Sequence, residues 1–189
     1  MRDAAAGDMS LLRRTPTDLL NYIQWTIGIR GTFGSVLNFI IQRRLHWKTK
    51  LLDSQDPCPC SSPILFSDNS DFKILRNDWP YGMEPDMVHL VVWTKTPIAT
   101  DEQGDPTPQS RQLIDDFIQR TFKDHIARGQ YAGDNVQWFR NRTKWQSVRS
   151  LDHMHIVLRD IDEEFVTMIT GQRPSEVICK TYESDKGDA

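Results

Sequence analysis

The run from Leu151 to Arg159 constrains this chain more than any other feature. Met154, Ile156 and Leu158 fall on one side of it, and Leu151, His153, His155, Val157 and Arg159 on the other. A period of two is the signature of a β-strand, because successive side chains leave a pleated backbone on opposite faces. Two imidazoles therefore share one face, about 7 Å apart, twice the strand rise. Gln146 and Ser147 precede the strand, and Arg159 closes it on the histidine side. Neutral histidines beside a hydroxyl and a guanidinium suit a phosphate group or a metal. The pattern marks a site without naming its ligand.

The surrounding sequence supplies the architecture. Thr15-Pro16-Thr17-Asp18 is a helix start, with Leu19, Leu20, Ile23 and Ile27 at helical spacing as its apolar stripe. After a turn at Gly31 to Gly34, Ser35 caps a second helix with Val36, Leu37, Ile40 and Ile41 as its inner face. The chain then turns to strands: Phe72 to Leu75, the doubly apolar Met87 to Thr94, Val136 to Phe139 and the histidine strand. Between them, Thr107 and Pro108 open a helix with Leu113, Ile114, Phe117, Ile118 and Phe122 as its stripe. Asp162 to Glu164 start a last helix that Gly171 stops. The order implies an α+β fold, a mostly antiparallel sheet with packed helices and an N-terminal helical pair. Residues 15–171 are expected to form one domain interrupted by a loop at 50–69. Residues 1–14 are expected to be a disordered N-terminus and 172–189 a flexible tail.

Composition narrows the function classes. A net charge of -3 over 189 residues, with no block of Lys and Arg, argues against nucleic-acid binding. The pairs Arg13-Arg14 and Arg43-Arg44 read as solvated helix faces. No apolar run is long enough to span a bilayer, and acids occupy the place of a signal segment, so a cytoplasmic protein is expected. Three cysteines make no disulfide framework, and Cys58-Pro59-Cys60 reads as a loop. His-x-His alone is two ligands short of a closed metal site, so neither a metal nor another cofactor is assigned. A phosphate-bearing small molecule or nucleotide sugar is the partner that the site suggests; a protein partner stays unspecified.

The residues admit a sharp and a bland reading. In the sharp one, His153 is a nucleophile and His155, Ser147, Gln146 and Asn141 bind ligand, with Arg149 and Arg159 as further donors to phosphate oxygens. Trp79 and Tyr81, in the turn Asn77-Asp78-Trp79-Pro80-Tyr81-Gly82, form a platform for a base or sugar. In the bland one, the histidines are hydrogen-bonded within a sheet and the aromatics plug its end. His89 is a strand histidine with no partner evident from the sequence.

Two resemblances attach to these residues. The blocks Asn77 to Gly82, His89 to Ile98, Trp138-Phe139-Arg140-Asn141 and Gln146 to His155 resemble the fungal family named for N-acetylglucosamine-induced proteins. That resemblance spans roughly residues 15–165 and implies a link to amino-sugar or cell-wall metabolism, with no assigned activity. More remotely, His89-Leu90-Val91-Val92, Lys95, Asn141, Gln146-Ser147-Val148 and His153-Met154-His155 resemble the histidine-triad nucleotide-binding fold. It implies His153 as the nucleophilic middle histidine of a nucleotidyl hydrolase or transferase, with Ser147 and Gln146 on phosphate oxygens. The chain departs from that pattern at the first triad position, which is Leu151, and at Trp145, where the pattern has Gly. Enzyme and noncatalytic regulatory module are both consistent with these residues.

Overall fold

The computed structural model describes residues 14–48, 58–126, 135–142, 146 and 148–179. Four strands, β1 (Phe72–Arg76), β2 (Met87–Thr94), β3 (Val136–Phe139) and β4 (Asp152–Arg159), pair antiparallel in the order β1-β2-β4-β3. The doubly apolar strand β2 lies inside the sheet, paired through Val92↔Ile74 on one side and Val92↔Met154 on the other. This is the position that its sequence required.

One sheet face carries the main core. Leu90, Val92, Met154, Ile156 and Leu158 lie under Ile114, Phe117, Ile118 and Phe122 of helix α3 (residues 108–126) and Val166 of helix α4 (Glu163–Thr170). Helix α3 begins at Pro108, where the Thr107 hydroxyl accepts from the Ser110 N–H. It runs α-helically to Ile118, widens into a π-helical turn at Gln119–Lys123 and finishes at Asp124–Ile126. Residues five apart in an α-helix diverge by about 140°, yet Phe117 and Phe122 are both fully buried. The wider turn keeps both rings on the sheet, each stabilising the fold by roughly 1.5–3 kcal/mol.

The other face carries Leu75, Val91, Trp93, His89, His153 and His155. Helix α2 starts at Val36–Phe39, capped by the Ser35 hydroxyl accepting from the Asn38 N–H, and continues as a π-helical turn through Ile40–Leu45. Its Ile41 and Leu45 pack with Cys58, Leu75, Val91, Trp93, Val148 and Leu151. Helix α1 (Pro16–Phe33) precedes it and ends at Gly34, whose φ of +75° favours glycine.

Helix α1 departs from its sequence reading. Leu19, Leu20, Ile23 and Ile27, expected to be the inner stripe, are 45–65% exposed. The apolar residues of α1 form an aliphatic side and an adjoining aromatic side, and the aromatic side is the one that faces inward. Tyr22 and Trp25 pack on Trp79 with ring centroids 5.8 and 5.6 Å away, while Trp25 and Phe33 meet Phe39. Larger rings gain more by burial than the aliphatic side chains beside them.

Two stretches expected to be loose are packed where they are described. In residues 58–69, Cys58, Leu65 and Phe66 are buried, and the Asp71 carboxylate accepts from the Ser61 and Ser62 N–H groups. In 172–179, the Gln172 amide oxygen accepts from the Arg76 N–H, Val177 is buried, and Cys179 donates to the Asp78 carbonyl. Residues 1–13 and 180–189 lie outside the described residues. No described helix is long and apolar enough to cross a membrane.

Candidate functional site

Three histidines, not two, meet on the inner face. Strand register sets His89 of β2 opposite Val157 and His155 of β4 opposite Val91, so the two imidazoles are diagonal neighbours. Their rings touch through His89 Nε2 and His155 Nδ1, 3.0 Å apart. His153 lies two residues before His155, with ring centroids 5.6 Å apart. Its Nδ1 faces the Leu151 carbonyl at 3.0 Å. A carbonyl only accepts, so Nδ1 carries the proton and Nε2 keeps its lone pair.

Asparagines fix the other two rings. The Asn141 amide nitrogen lies 3.2 Å from both His155 Nε2 and the Tyr81 hydroxyl. With Asn141 donating, His155 presents its Nδ1–H to His89, giving one directed chain across the sheet. Asn77 sits 3.2–3.3 Å from both nitrogens of His89. Gln146 supports this arrangement from behind by donating to the Asn141 carbonyl at 2.9 Å. Tyr81 stacks on His89 and Phe139 on His155, while Trp93 lies tilted against His153.

Burial keeps all three histidines uncharged. Desolvation, helped by the Arg14 guanidinium, pushes His89 down to about 3. Burial also holds His155 well below the ordinary histidine range, reinforced by His89, His153 and Arg14. His153 is lowered too, again by burial, against the pull of the Leu151 carbonyl and Asp152. Asp78 behaves oppositely. Burial raises its carboxyl to about 6 even though Arg44 pairs with it at 2.6 Å and the Ile178 N–H reaches it.

The histidine face opens into a cavity of about 140 Å³. Its floor includes His153, His155 and Trp93, and its roof is α1 and α2 through Tyr22, Trp25 and Ile40. Arg14 and Arg44 also reach it, although both were read as solvated pairs. Arg14 donates from Nε and Nη2 to the Trp79 carbonyl at 3.2 and 2.9 Å and lies over the rings of Tyr22 and Tyr81. No carboxylate among the described residues pairs with it. Arg44 Nε is buried with no hydrogen-bond partner among the described residues.

The sequence candidates divide accordingly. His153, His155, Asn141, Trp79 and Tyr81 all line the cavity. Trp79 is a buried wall rather than an exposed platform. Gln146 is buried behind the cavity and acts through Asn141. Ser147 lies outside the described residues. Arg159 shares the histidine face but is spent at the sheet end on Glu84 and Asp86, and Arg149 points to a neighbouring groove. Asp152 lies on the opposite face, as alternation demands, paired with Arg140 at 2.6 Å. His153 is itself a packing residue, with its ring 4.5 Å from that of Trp93. Among the described residues, no cluster of three or more His, Cys, Asp or Glu side chains is arranged to hold a metal ion.

Comparison with known proteins matches residues 3–159 to a family described as "Protein of unknown function (DUF3605)". The chain belongs to this family. Among its relatives is "N-acetylglucosamine-induced protein 1" of Candida albicans, 27% identical over 92% of this chain and 71% of that protein. "Uncharacterized protein YPL067C" of Saccharomyces cerevisiae is 27% identical over 81% of this chain and 73% of its own. The structure titled "Crystal Structure of HTC1" has the same fold, with a TM-score of 0.59 and 24% identity over 95% of this chain and 88% of that one. The match extends from the N-terminal helices through the histidine strand, so this DUF3605 chain carries the whole cavity within the family's shared region.

Proposed function

We propose that the protein binds a phosphate-bearing small molecule, a nucleotide or nucleotide sugar, in the cavity on the His153–His155 face. The observation that carries this reading is the charge balance of the walls. The histidines are neutral, Arg44 is matched by Asp78, and Arg14 is a cation with no carboxylate partner among the described residues. An anionic group on the ligand supplies the missing negative charge. Arg44 Nε, with no partner among the described residues, offers a donor whose burial costs roughly 1–3 kcal/mol until an acceptor reaches it. Tyr22, Trp25, Trp79 and Trp93 give a flat ring surfaces to stack on.

In a catalytic version of this reading, the lone pair on His153 Nε2 attacks phosphorus, forming an N–P bond as the P–O bond to the leaving group breaks. Water then cleaves the N–P bond and restores the imidazole. Only the middle histidine of the triad pattern has this role; Leu151 at the first position is buried and supplies no donor. A second reading is favoured by the exposed aliphatic stripe of α1: a noncatalytic regulatory module that meets a protein partner. The name of the Candida relative makes amino sugars and their phosphates natural probes for either version.

Isothermal titration with nucleotides, nucleotide sugars and amino-sugar phosphates tests the cavity. Binding to the wild type that weakens at least tenfold in Arg14→Ala is the expected result. Heat-silent titrations with every probe, checked by the absence of any shift in melting temperature, would overturn it.

A further inference from the structure

A second hollow runs alongside the first. It is an open groove of about 520 Å³ between α1 and the segment before β4, and it shares Tyr22 and Val36 with the histidine cavity. The two are joined again on the far wall. Val148 lines the cavity and Arg149 the groove, while Gln146 lines the groove and hydrogen-bonds to Asn141 of the cavity. Arg30 and Arg149 both reach the groove, and among the described residues no acid lines it and neither arginine forms an ion pair. Arg30, in the last turn of α1, is accounted for in part by the helix dipole. Arg149 stands outside any helix, so the dipole gives no reason for a second cation facing the same space. Thr26 adds a hydroxyl, and Ile23 and Ile27 add an apolar edge.

We infer that the cavity and groove form one bipartite site for a nucleoside diphosphate carrying a second group, such as a nucleoside diphosphate sugar. One ring occupies the histidine cavity, and the diphosphate begins at Arg14, which lies over Tyr22, and crosses that ring toward Arg30 and Arg149. The remaining ring lies against Ile23 and Ile27. The scale agrees with this: from Tyr22 to Arg30 the helix rises about 12 Å, eight residues at 1.5 Å each. A monophosphate cannot span that distance, and a dinucleotide-sized ligand can. This inference rests on the proposed cavity and adds the ligand class and the two groove arginines.

The test compares UMP with UDP-N-acetylglucosamine, and AMP with ADP-ribose, by titration calorimetry. The proteins are the wild type, Arg14→Ala, and the double variant Arg30→Ala/Arg149→Ala, whose two sites are exposed and leave the core untouched. The expected result is that one diphosphate probe binds the wild type at least tenfold more tightly than its monophosphate. The double variant removes that advantage and leaves monophosphate binding unchanged. Equal binding of both members of each pair, unaffected by the double variant but weakened by Arg14→Ala, overturns the groove and leaves the cavity reading standing. Diphosphate binding that falls in the double variant but not in Arg14→Ala overturns the bipartite site, because the cavity then takes no part. No binding by any probe overturns both.

Discussion

Asn141 holds the site together through three contacts: its amide reaches His155 and Tyr81, and its carbonyl receives Gln146. Replacing it with alanine leaves a buried imidazole nitrogen without its partner. Asn141→Ala should therefore lower unfolding stability by about 1–3 kcal/mol, read from urea melts. A change below about 0.5 kcal/mol would mean that water or another group replaces the amide at no cost. His153→Ala should also destabilise the fold, because it removes the ring against Trp93 and the hydrogen bond to Leu151. A loss of binding in that variant therefore needs a melt measured beside it. At this scale the sequence disclosed His153, His155, Asn141, Trp79 and Tyr81, since strand parity and neighbouring motifs mark them. It concealed His89, because a strand buried on both faces offers no polar parity to show which side an imidazole takes. Arg14 and Arg44 were concealed for another reason: an arginine beside a helix looks solvated until tertiary contacts bring a roof over a sheet.

The helices differ in how firmly they are held. Helix α3 buries Ser110, Ile114, Phe117 and Ile118, whereas α1 has no buried residue and rests on the aromatic contacts of Tyr22 and Trp25. Amide exchange should therefore be faster along α1 than along β2 and β4, by a margin that narrows with denaturant as global unfolding takes over. Protection of α1 equal to that of the central strands would show an unseen surface covering Leu19, Leu20, Ile23 and Ile27. At the α1–α2 junction, Gly34→Ala should destabilise by about 1–2 kcal/mol, since alanine resists a positive φ. A melt identical to the wild type's would show that the turn relaxes freely. The strands and caps were legible element by element: Thr15, Ser35, Thr107 and Asp162 all cap helices through their side chains. The orientation of α1 was not, because spacing identifies an apolar stripe but cannot rank an aliphatic stripe against an aromatic one on the same helix.

The buried histidines make the stability of the whole molecule depend on pH. In the unfolded chain they take up protons below an ordinary value of about 6.5, while in the fold their values are lowered, His89 to about 3. Between those limits the unfolded state binds more protons, so stability is present above about pH 6.5 and is lost as the pH falls. Asp78 works the other way. Its folded value of about 6 lies above its unfolded one, so acidification through that range favours the fold by one group against three. The urea midpoint should therefore be lower at pH 5 than at pH 7.5. An unchanged or higher midpoint at pH 5 would show that the imidazoles are solvated. Another property belongs to the molecule as a whole. Arg14, just before α1, is fastened to the carbonyl of Trp79, and Cys179, after α4, is fastened to the carbonyl of Asp78. Residues 14 and 179, far apart in sequence, are thus moored to two consecutive residues of the cavity wall. A load applied between positions 14 and 179, by handles attached at those two residues in an optical trap, would pull first on that wall, and the pocket would give way while the sheet was still intact.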